Sequence, residues 1–548
     1  MFPIDTIFEN VRVQTMDPLH PWAYRVGVLG DRIVALDDDL NGVVAKHRVD
    51  LGGRYLCPGF NDAHCHLSVL GRNLSEINLS ADCVVDLDGL YRAVSQAASS
   101  LPLGAWVIGW GFNQLDLGGY PQIDALDRAA NGHPVYLEHL SHHVAVVNTE
   151  AFRMAGYPEP AAMANPSGGE VMRDADGRIT GLVREQAARI FKNLITVRSK
   201  DSLVEDLRVA SQYALERGLT AYTEAGAMRV DTFQTAVETG ALRLRTTLMP
   251  FFPKLHDLLG FGSGASSDSG SDSNEPLYGL DMGLCTGFGG EAGMLRIGAC
   301  KIVLDGAFSS MTARLSEPYE KSDERGVLQW DPSDVVEKFC RMHRAGWQIA
   351  AHAIGDDAVR LAATAIEEAQ RRFSRPDARH RIEHCGLMDD SLVDRILADH
   401  IIPVPQGSFI ADYGDSYVKV IGMERAMRAD RAGAYVRRGA IIPGSTDAPS
   451  AHLSPLYAIQ GAVTRRTKSG LVLGGKSECL TLDQALYAYT YGSAYASHAE
   501  RVLGTIVPGK LADFTVLESD PHLVAPDEIK TIGVAATIVG GRMEFERL

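Results

Sequence analysis

Positive charge, long hydrophobic runs and paired cysteines are all scarce in this chain, and each scarcity excludes something. Across 548 residues, 53 Lys and Arg face 69 Asp and Glu, for a formal net charge of −16. Such a balance repels nucleic acid and anionic membrane, so neither is expected as a partner. No segment reaches the roughly 20 uninterrupted apolar residues that a membrane span needs. The opening Met1-Phe2-Pro3-Ile4-Asp5 has no basic stretch followed by an apolar run, so no signal peptide is read there. The eight cysteines (57, 65, 83, 285, 300, 340, 385 and 479) form no C-x-x-C pair. Cys300, in Ile297-Gly298-Ala299-Cys300-Lys301, sits in a strand-like apolar stretch. The expectation is buried thiols in a reducing, cytoplasmic compartment rather than a disulfide framework.

What is present is enough apolar material for one large domain and a smaller companion: 45% hydrophobic residues with 22% charged, near the globular norm. Apolar and polar positions alternate over 6–13 and 24–29, and Gly30-Asp31-Arg32 reads as a hairpin turn before Ile33-Val34-Ala35-Leu36. The last residues repeat the pattern at 512–517, 536–539 and, after Gly540-Gly541, 542–545. Between these β-rich ends, strands and helices alternate. Helices are expected over 203–217, 356–373 and 391–399. Strands are expected over 219–223, 242–249, 347–352, 379–385, 401–404 and 440–442. Repeated βα units imply a parallel sheet covered by helices, and their number suits an α/β fold of the (β/α)8 TIM-barrel type. The stretch 260–274 is nearly all Gly, Ser, Ala and Asp; it cannot offset its ordering entropy by burial and reads as a mobile surface insertion.

The chemistry-bearing residues fall at the ends of these strands. In Pro58-Gly59-Phe60-Asn61-Asp62-Ala63-His64-Cys65-His66, an extended segment points His64 and His66 to one face, close enough to share a metal ion, although two ordinary strand histidines would look the same. Pro58-Gly59 reads as a turn just before them. Lys301 lies in the apolar run Cys300-Lys301-Ile302-Val303-Leu304, where a lysine is costly unless its charge is removed or paired. A carbamate formed from CO2 would remove the charge and supply two oxygens; pairing with Asp305, or snorkelling outward, is the plainer alternative. His352 and His384 close two strands, on the face where barrel enzymes build their sites. Asp447, after Ile441-Ile442-Pro443-Gly444-Ser445-Thr446, suits a helix cap or a metal ligand.

In that order and placement, the chain resembles the amidohydrolase superfamily, and more closely its amidohydrolase-3 branch, the YtcJ-like hydrolases that include N-substituted formamide deformylases. The likeness extends to Trp106-Val107-Ile108-Gly109-Trp110-Gly111-Phe112, His133-Pro134-Val135, His143 with Asn148, Gly181-Leu182-Val183-Arg184-Glu185 and Ile506-Val507-Pro508-Gly509-Lys510-Leu511-Ala512-Asp513. It implies two divalent metal ions, most simply zinc. His64, His66 and Asp447 would hold one, His352 and His384 the other, with a carboxylated Lys301 bridging them. It also implies a barrel over 57–500, carrying the Gly/Ser insertion 260–275, and one small β-sandwich built from 1–56 and 501–548. The sequence departs from the branch at Pro405-Gln406-Gly407, where Gln followed by Pro is expected.

The activity implied is hydrolysis of a C–N bond in a small amide, such as an N-substituted formamide, by a metal-activated hydroxide. Asp447 would act as proton shuttle and His143 as a substrate or oxyanion contact. Trp110 and Phe112 are candidates for substrate binding, with packing as their plainer role. Other two-metal hydrolases, acting on cyclic amides, esters or phosphotriesters, share this ligand set. A single-metal deaminase would carry Glu three residues after the histidine, where His352 is followed by Ala353-Ile354-Gly355. A catalytically silent binding or regulatory protein would be expected to have lost a ligand, and none is missing. A homodimer is compatible with the chain, symmetric pairs being the commonest oligomers, though no residue points to it.

Overall fold

The computed structural model describes residues 3–79, 83–102, 104–139, 144–166, 169–196, 199–227, 229–251, 285–309 and 311–547. The Gly/Ser-rich insertion 260–275 and His143 lie outside the described residues. The protein is a mixed α/β molecule that divides into two compact units, one of Met1–Leu67 with Ala210–Leu548 and one of Ser68–Val209.

In the first unit, the segments that alternate apolar and polar residues become two β layers. Ile4–Glu9, Val26–Leu29, Arg32–Leu36 and Ala45–Asp50 form a four-stranded sheet. A six-stranded sheet draws on both chain ends: Trp22–Ala23, Arg12–Gln14 and Tyr55–Pro58 continue into Phe514–Leu517, Val534–Val539 and Arg542–Glu546. Residues of both layers fill one apolar cluster, with Phe8 edge-on to Phe514 at 5.9 Å. The strand expected over 6–13 is interrupted at Asn10, whose φ is 51°, and the chain passes there from one sheet to the other. Pro58-Gly59 is likewise a junction between strands rather than a tight turn: Pro58 pairs with Phe514, and the next strand begins at Phe60. A Cβ on Gly59 would lie 2.1 Å from Thr220 Oγ1, so only glycine fits this crossing.

The expected βα repeat appears as two four-stranded parallel sheets. One is ordered Leu295–Ile297, Arg245–Pro250, Leu219–Ala227, Phe60–Cys65. The other is ordered Cys300–Val303, Ile349–Ala353, Arg381–His384, Ile402–Val404. A single parallel bridge, Phe251 to Lys301, joins them. The helices Lys200–Leu215, Asp356–Arg372 and Asp390–Ala398 fall where the apolar periodicity places them. The strand expected over 440–442 is not formed. Gly444 instead gives its N–H to Ala488 O at 2.8 Å, and a Cβ there would meet the Tyr489 ring at 2.3 Å. Packing against that helical segment overrides the local β preference of Ala440-Ile441-Ile442. The segment still reaches the Phe60–Cys65 strand, through Ala63 N to Gly444 O at 2.9 Å and Asp447 N to His64 O at 2.8 Å.

The second unit carries its own six-stranded sheet, ordered Gly169–Arg173, Ile179–Glu185, Val144–Val147, Val135–His139, Val107–Phe112, Ile77–Asn78. Asn148 caps the helix Thr149–Met154 through Ala151 N and pins Val135 N and His133 O, so this part of the family-like pattern serves local structure. All eight cysteines are free. Cys57, Cys65, Cys300, Cys340 and Cys385 are buried as expected, whereas Cys83 is exposed and Cys285 and Cys479 are half-buried. Among the described residues, no helix is long and apolar enough to cross a membrane.

Candidate metal centre

Six residues of the first unit converge, five on or just after its parallel strands and Asp447 on the irregular segment that follows 440–442. His64 ends the Phe60–Cys65 strand facing inward, and its ring lies 5.6 Å from that of His66 and 5.1 Å from that of His384. His384 and His352 are closer still, at 4.5 Å between ring centres. Ligand atoms of His64, His66 and Asp447 all lie within 4.8 Å of one another. Lys301 Nζ is 3.3 Å from His64 Nε2. The structure thus brings together all six sequence-predicted ligands. Asp447 and His384 hold left-handed backbone, with φ of 58° and 74°, a strained state for non-glycine residues that clusters at functional sites.

The hydrogen bonds around the imidazoles fix which nitrogen of each faces inward. His64 Nδ1 donates to Glu383, a fully buried carboxylate gripped by Arg381 Nε at 2.5 Å and Nη2 at 2.9 Å. Arg381 in turn donates to Ala63 O at 2.8 Å. His384 Nδ1 donates to Gln406 Oε1 at 2.8 Å, and the Gln406 amide NH2 is committed to Val404 O and Ser445 Oγ, so the amide cannot face the other way. His352 Nε2 donates to Gly306 O at 3.2 Å. Each ring therefore keeps one lone pair for the cluster, as metal-binding histidines do.

The donor set fits a cation. His64 Nε2 and His66 Nε2 lie 3.4 and 3.3 Å from Asp447 Oδ1. With its Nδ1–H given to Glu383, His64 turns a lone pair toward that Asp447 oxygen, an arrangement that favours a positive charge beside the pair. Lys301 is only 2% exposed and, among the described residues, joins no ion pair; Asp305 is taken up by the backbone N–H groups of Ile354, Gly355 and Arg314 at 2.8–3.0 Å. The plainer reading of Lys301, an ion pair with Asp305, is thereby removed. Burial, opposed by Glu383 and Asp447, brings the Lys301 ammonium down to about 8, which raises the share of neutral amine, the nucleophilic form.

Electrostatics follow the same pattern. Burial, then Lys301, lowers His64 to about 3, and burial and His384 hold His352 well below its usual range. Burial lowers His384 as well, so these three rings favour the neutral form that a ligand needs. Burial works against the Asp447 and Glu383 carboxylates, yet neighbours prevail. The His66 hydrogen bond, with His64 and His384, keeps Asp447 ionised, and the Arg381 guanidinium, then His64, does so for Glu383. Asp62 accepts from His64 N and from Thr446 N and Oγ1, tying the Asp447 segment to its strand, and burial raises its carboxyl to about 7.

Of the substrate candidates, Trp110 and Phe112 belong to the strand Val107–Phe112 of the second unit. Phe112 is fully buried in that unit's apolar cluster, its ring 5.2 Å from His139 and 6.4 Å from Tyr120. Trp110 is half-buried, and its Nε1 is shielded with no partner among the described residues. Of the supporting residues, Glu383, Arg381 and Asp62 were given no role in the sequence, while Asp305 entered only as a partner for Lys301 and Gln406 only as a departure from the branch. The signal was there for one pair: Arg381 and Glu383, two apart on an otherwise apolar strand, must share a buried face and neutralise each other.

Comparison with known proteins bears on the family. The model of the amidohydrolase family, Amidohydro_3, matches residues 48–544. The putative amidohydrolase YtcJ of Bacillus subtilis is 28% identical, covering 92% of each chain. The N-substituted formamide deformylase of Arthrobacter pascens is 28% identical, covering 99% of this chain and 98% of its own. The crystal structure of an uncharacterized metal-dependent hydrolase from Pyrococcus furiosus superposes with a TM-score of 0.73 at 25% identity, covering 94% of this chain and 99% of that one.

Proposed function

The chain belongs to the amidohydrolase family, and from that premise we propose that it is a metal-dependent hydrolase cleaving the C–N bond of a small amide, an N-substituted formamide first among candidates. The observation that carries the proposal is the convergence of His64, His66 and Asp447 within 4.8 Å, beside a buried Lys301 that joins no ion pair among the described residues and the His352–His384 pair. His64, His66 and Asp447 would hold one divalent ion and His352 and His384 a second, zinc being the simplest choice for imidazole and carboxylate, with a carbamate on Lys301 between them. Bound there, the ions would lower the pKa of a water and polarise the scissile carbonyl.

The remaining work falls to the protein's own groups. Asp447, ionised and next to His64 and His66, would accept the attacking water's proton on a carboxylate oxygen and pass it to the departing nitrogen, so that the amine leaves neutral. Glu383 and Gln406 hold the His64 and His384 rings in the tautomers that keep a lone pair inward. His143 remains the candidate contact for the substrate oxygen. The reading extends to a closed (β/α)8 barrel over 57–500, a β-sandwich from 1–56 and 501–548, a cytoplasmic location, a homodimer, and no nucleic acid or membrane partner.

The test is a panel of N-substituted formamides, other small amides, esters and phosphotriesters, assayed before and after chelation and after return of metal with bicarbonate. Amine release that chelation abolishes and metal restores supports the proposal. Turnover that survives complete metal removal overturns the metal-dependent mechanism, and hydrolysis confined to phosphotriesters overturns the C–N assignment.

A further inference from the structure

The turns that follow the His352 and His384 strands border a cavity of about 260 Å3 that the hydrolase reading does not use. Three guanidinium groups line it: Arg360, Arg425 and Arg428. The buried or fixed carboxylates on the same wall are already engaged. Asp389 takes Arg360 Nη2 at 2.7 Å and caps the helix Asp390–Ala398 through Leu392 N at 2.7 Å. Asp356 accepts both the backbone N–H of Ser316, at 2.9 Å, and its hydroxyl. Glu317 is exposed and free to turn to water.

The other two arginines are poorly neutralised. Arg425 spends its hydrogen bonds on backbone carbonyls, of Ile421 at 2.6 Å and Glu317 at 3.5 Å. Arg428 reaches Glu424, a residue whose side chain is 92% exposed, at 3.3 Å. Its Nε is shielded from solvent and has no partner among the described residues. With Nε enclosed, the reachable part of Arg428 is its guanidinium end, on a side chain 44% exposed whose carboxylate contact, Glu424, is itself free to turn to water.

We propose that this cavity is a binding site for a small oxyanion, a phosphate or a carboxylate, held by the guanidinium Nη groups of Arg425 and Arg428. Planar guanidinium groups match the paired oxygens of either anion. The occupant touches backbone that leads to two of the candidate ligands. Met388 N donates to Arg428 O at 3.5 Å, Leu387 N to Ile354 O at 2.9 Å, and Asp430 N to Gly386 O at 3.0 Å, so the turns after His384 and His352 are stitched to the Arg428 segment. An anion seated there stiffens both turns whether or not an amide is the substrate.

The test is titration of the purified full chain with sodium phosphate and, separately, with succinate, at matched ionic strength. Binding is read by calorimetry and by the thermal unfolding midpoint. A saturable response to either anion is expected, and the two arms show which oxygen geometry the site prefers. Arg428→Ala should weaken it by about tenfold or more, and Arg428→Lys should not restore it, since an ammonium cannot make a two-point contact. If Arg428→Ala unfolds early without ligand, Arg425→Ala carries the same expectation. No saturable binding of either anion overturns the proposal. Binding that both alanine variants leave intact also overturns it, because the anion would then sit elsewhere, the metal centre included. Neither result depends on finding a hydrolysable substrate.

Discussion

Asp447 holds a backbone φ of 58°, which costs a non-glycine residue about 1–3 kcal/mol. The surroundings that hold it there are specific: Asp447 N to His64 O, Ser450 N to Asp447 O at 2.8 Å, and Asp62 on Thr446. Asp447→Asn keeps this geometry and removes the proton acceptor. kcat should fall roughly 100-fold to 10,000-fold with little change in unfolding midpoint; retained turnover on the amide substrate would remove the shuttle role. Glu383→Gln tests a different link. It leaves the Arg381 guanidinium buried beside a neutral amide, so stability should drop by about 3–5 kcal/mol in chemical denaturation. Metal affinity measured by competition with a chelator should fall roughly 10-fold to 100-fold, because His64 loses the partner that orients it.

At the scale of elements, the helix Pro332–Arg344 is fastened to the two strands that carry His352 and His384 by a chain of neutral histidines. His343 Nε2 donates to Phe373 O, His380 Nε2 donates to His343 Nδ1 at 2.7 Å, and His380 Nδ1 accepts from Ile349 N at 2.9 Å. Burial lowers both imidazoles below 6.5, opposed at His343 by the Phe373 carbonyl and reinforced at His380 by His343. Arg375, 3.5 Å from His343 Nδ1, further disfavours protonation. Above about pH 6.5 both imidazoles are neutral folded or unfolded, and they add no pH dependence. Below it the unfolded chain takes up protons that the folded pair refuses, so stability falls by up to ~1.4 kcal/mol per pH unit for each group. The urea midpoint should therefore drop between pH 6.5 and 5, and less steeply in His343→Asn; equal slopes would show that the pair does not control it. None of this chain of bonds was legible in the sequence, because it joins residues 343, 349, 373 and 380 through the fold. The H-x-H pair was legible, since a strand has a period of two, and so were the helices whose apolar spacing is local. The second unit's sheet was not: its order depends on antiparallel pairs such as Tyr136 with Val147 and Val146 with Leu182, which no local pattern specifies. The segment 440–442 misled because its apolar run is β-like while its hydrogen bonds go to a helical neighbour.

For the whole molecule, ligand binding at the candidate centre would add to the stability of the folded state. A metal present at about 100 times its dissociation constant adds about 2.7 kcal/mol to the folded state. Chelation should lower the unfolding midpoint by several degrees, and metal should restore it. Recovery should be faster with bicarbonate than in CO2-free buffer if Lys301 carries a carbamate; identical recovery would count against that modification. The residues that converge on this centre are widely spread along the chain: His64 and His66 near one end, Asp447 nearly four hundred residues later, and the strand Phe514–Leu517 pairing with Tyr55–Pro58, just ahead of the first ligands. During synthesis, His64 and His66 leave the ribosome long before their partners exist. The six-ligand pocket cannot close until Asp447 has emerged, and the sheet beside it waits for the last strands. If the centre binds metal as proposed, loading would come among the final events in the making of the chain, and a product cut short before Asp447 would lack the full set of six candidate ligands.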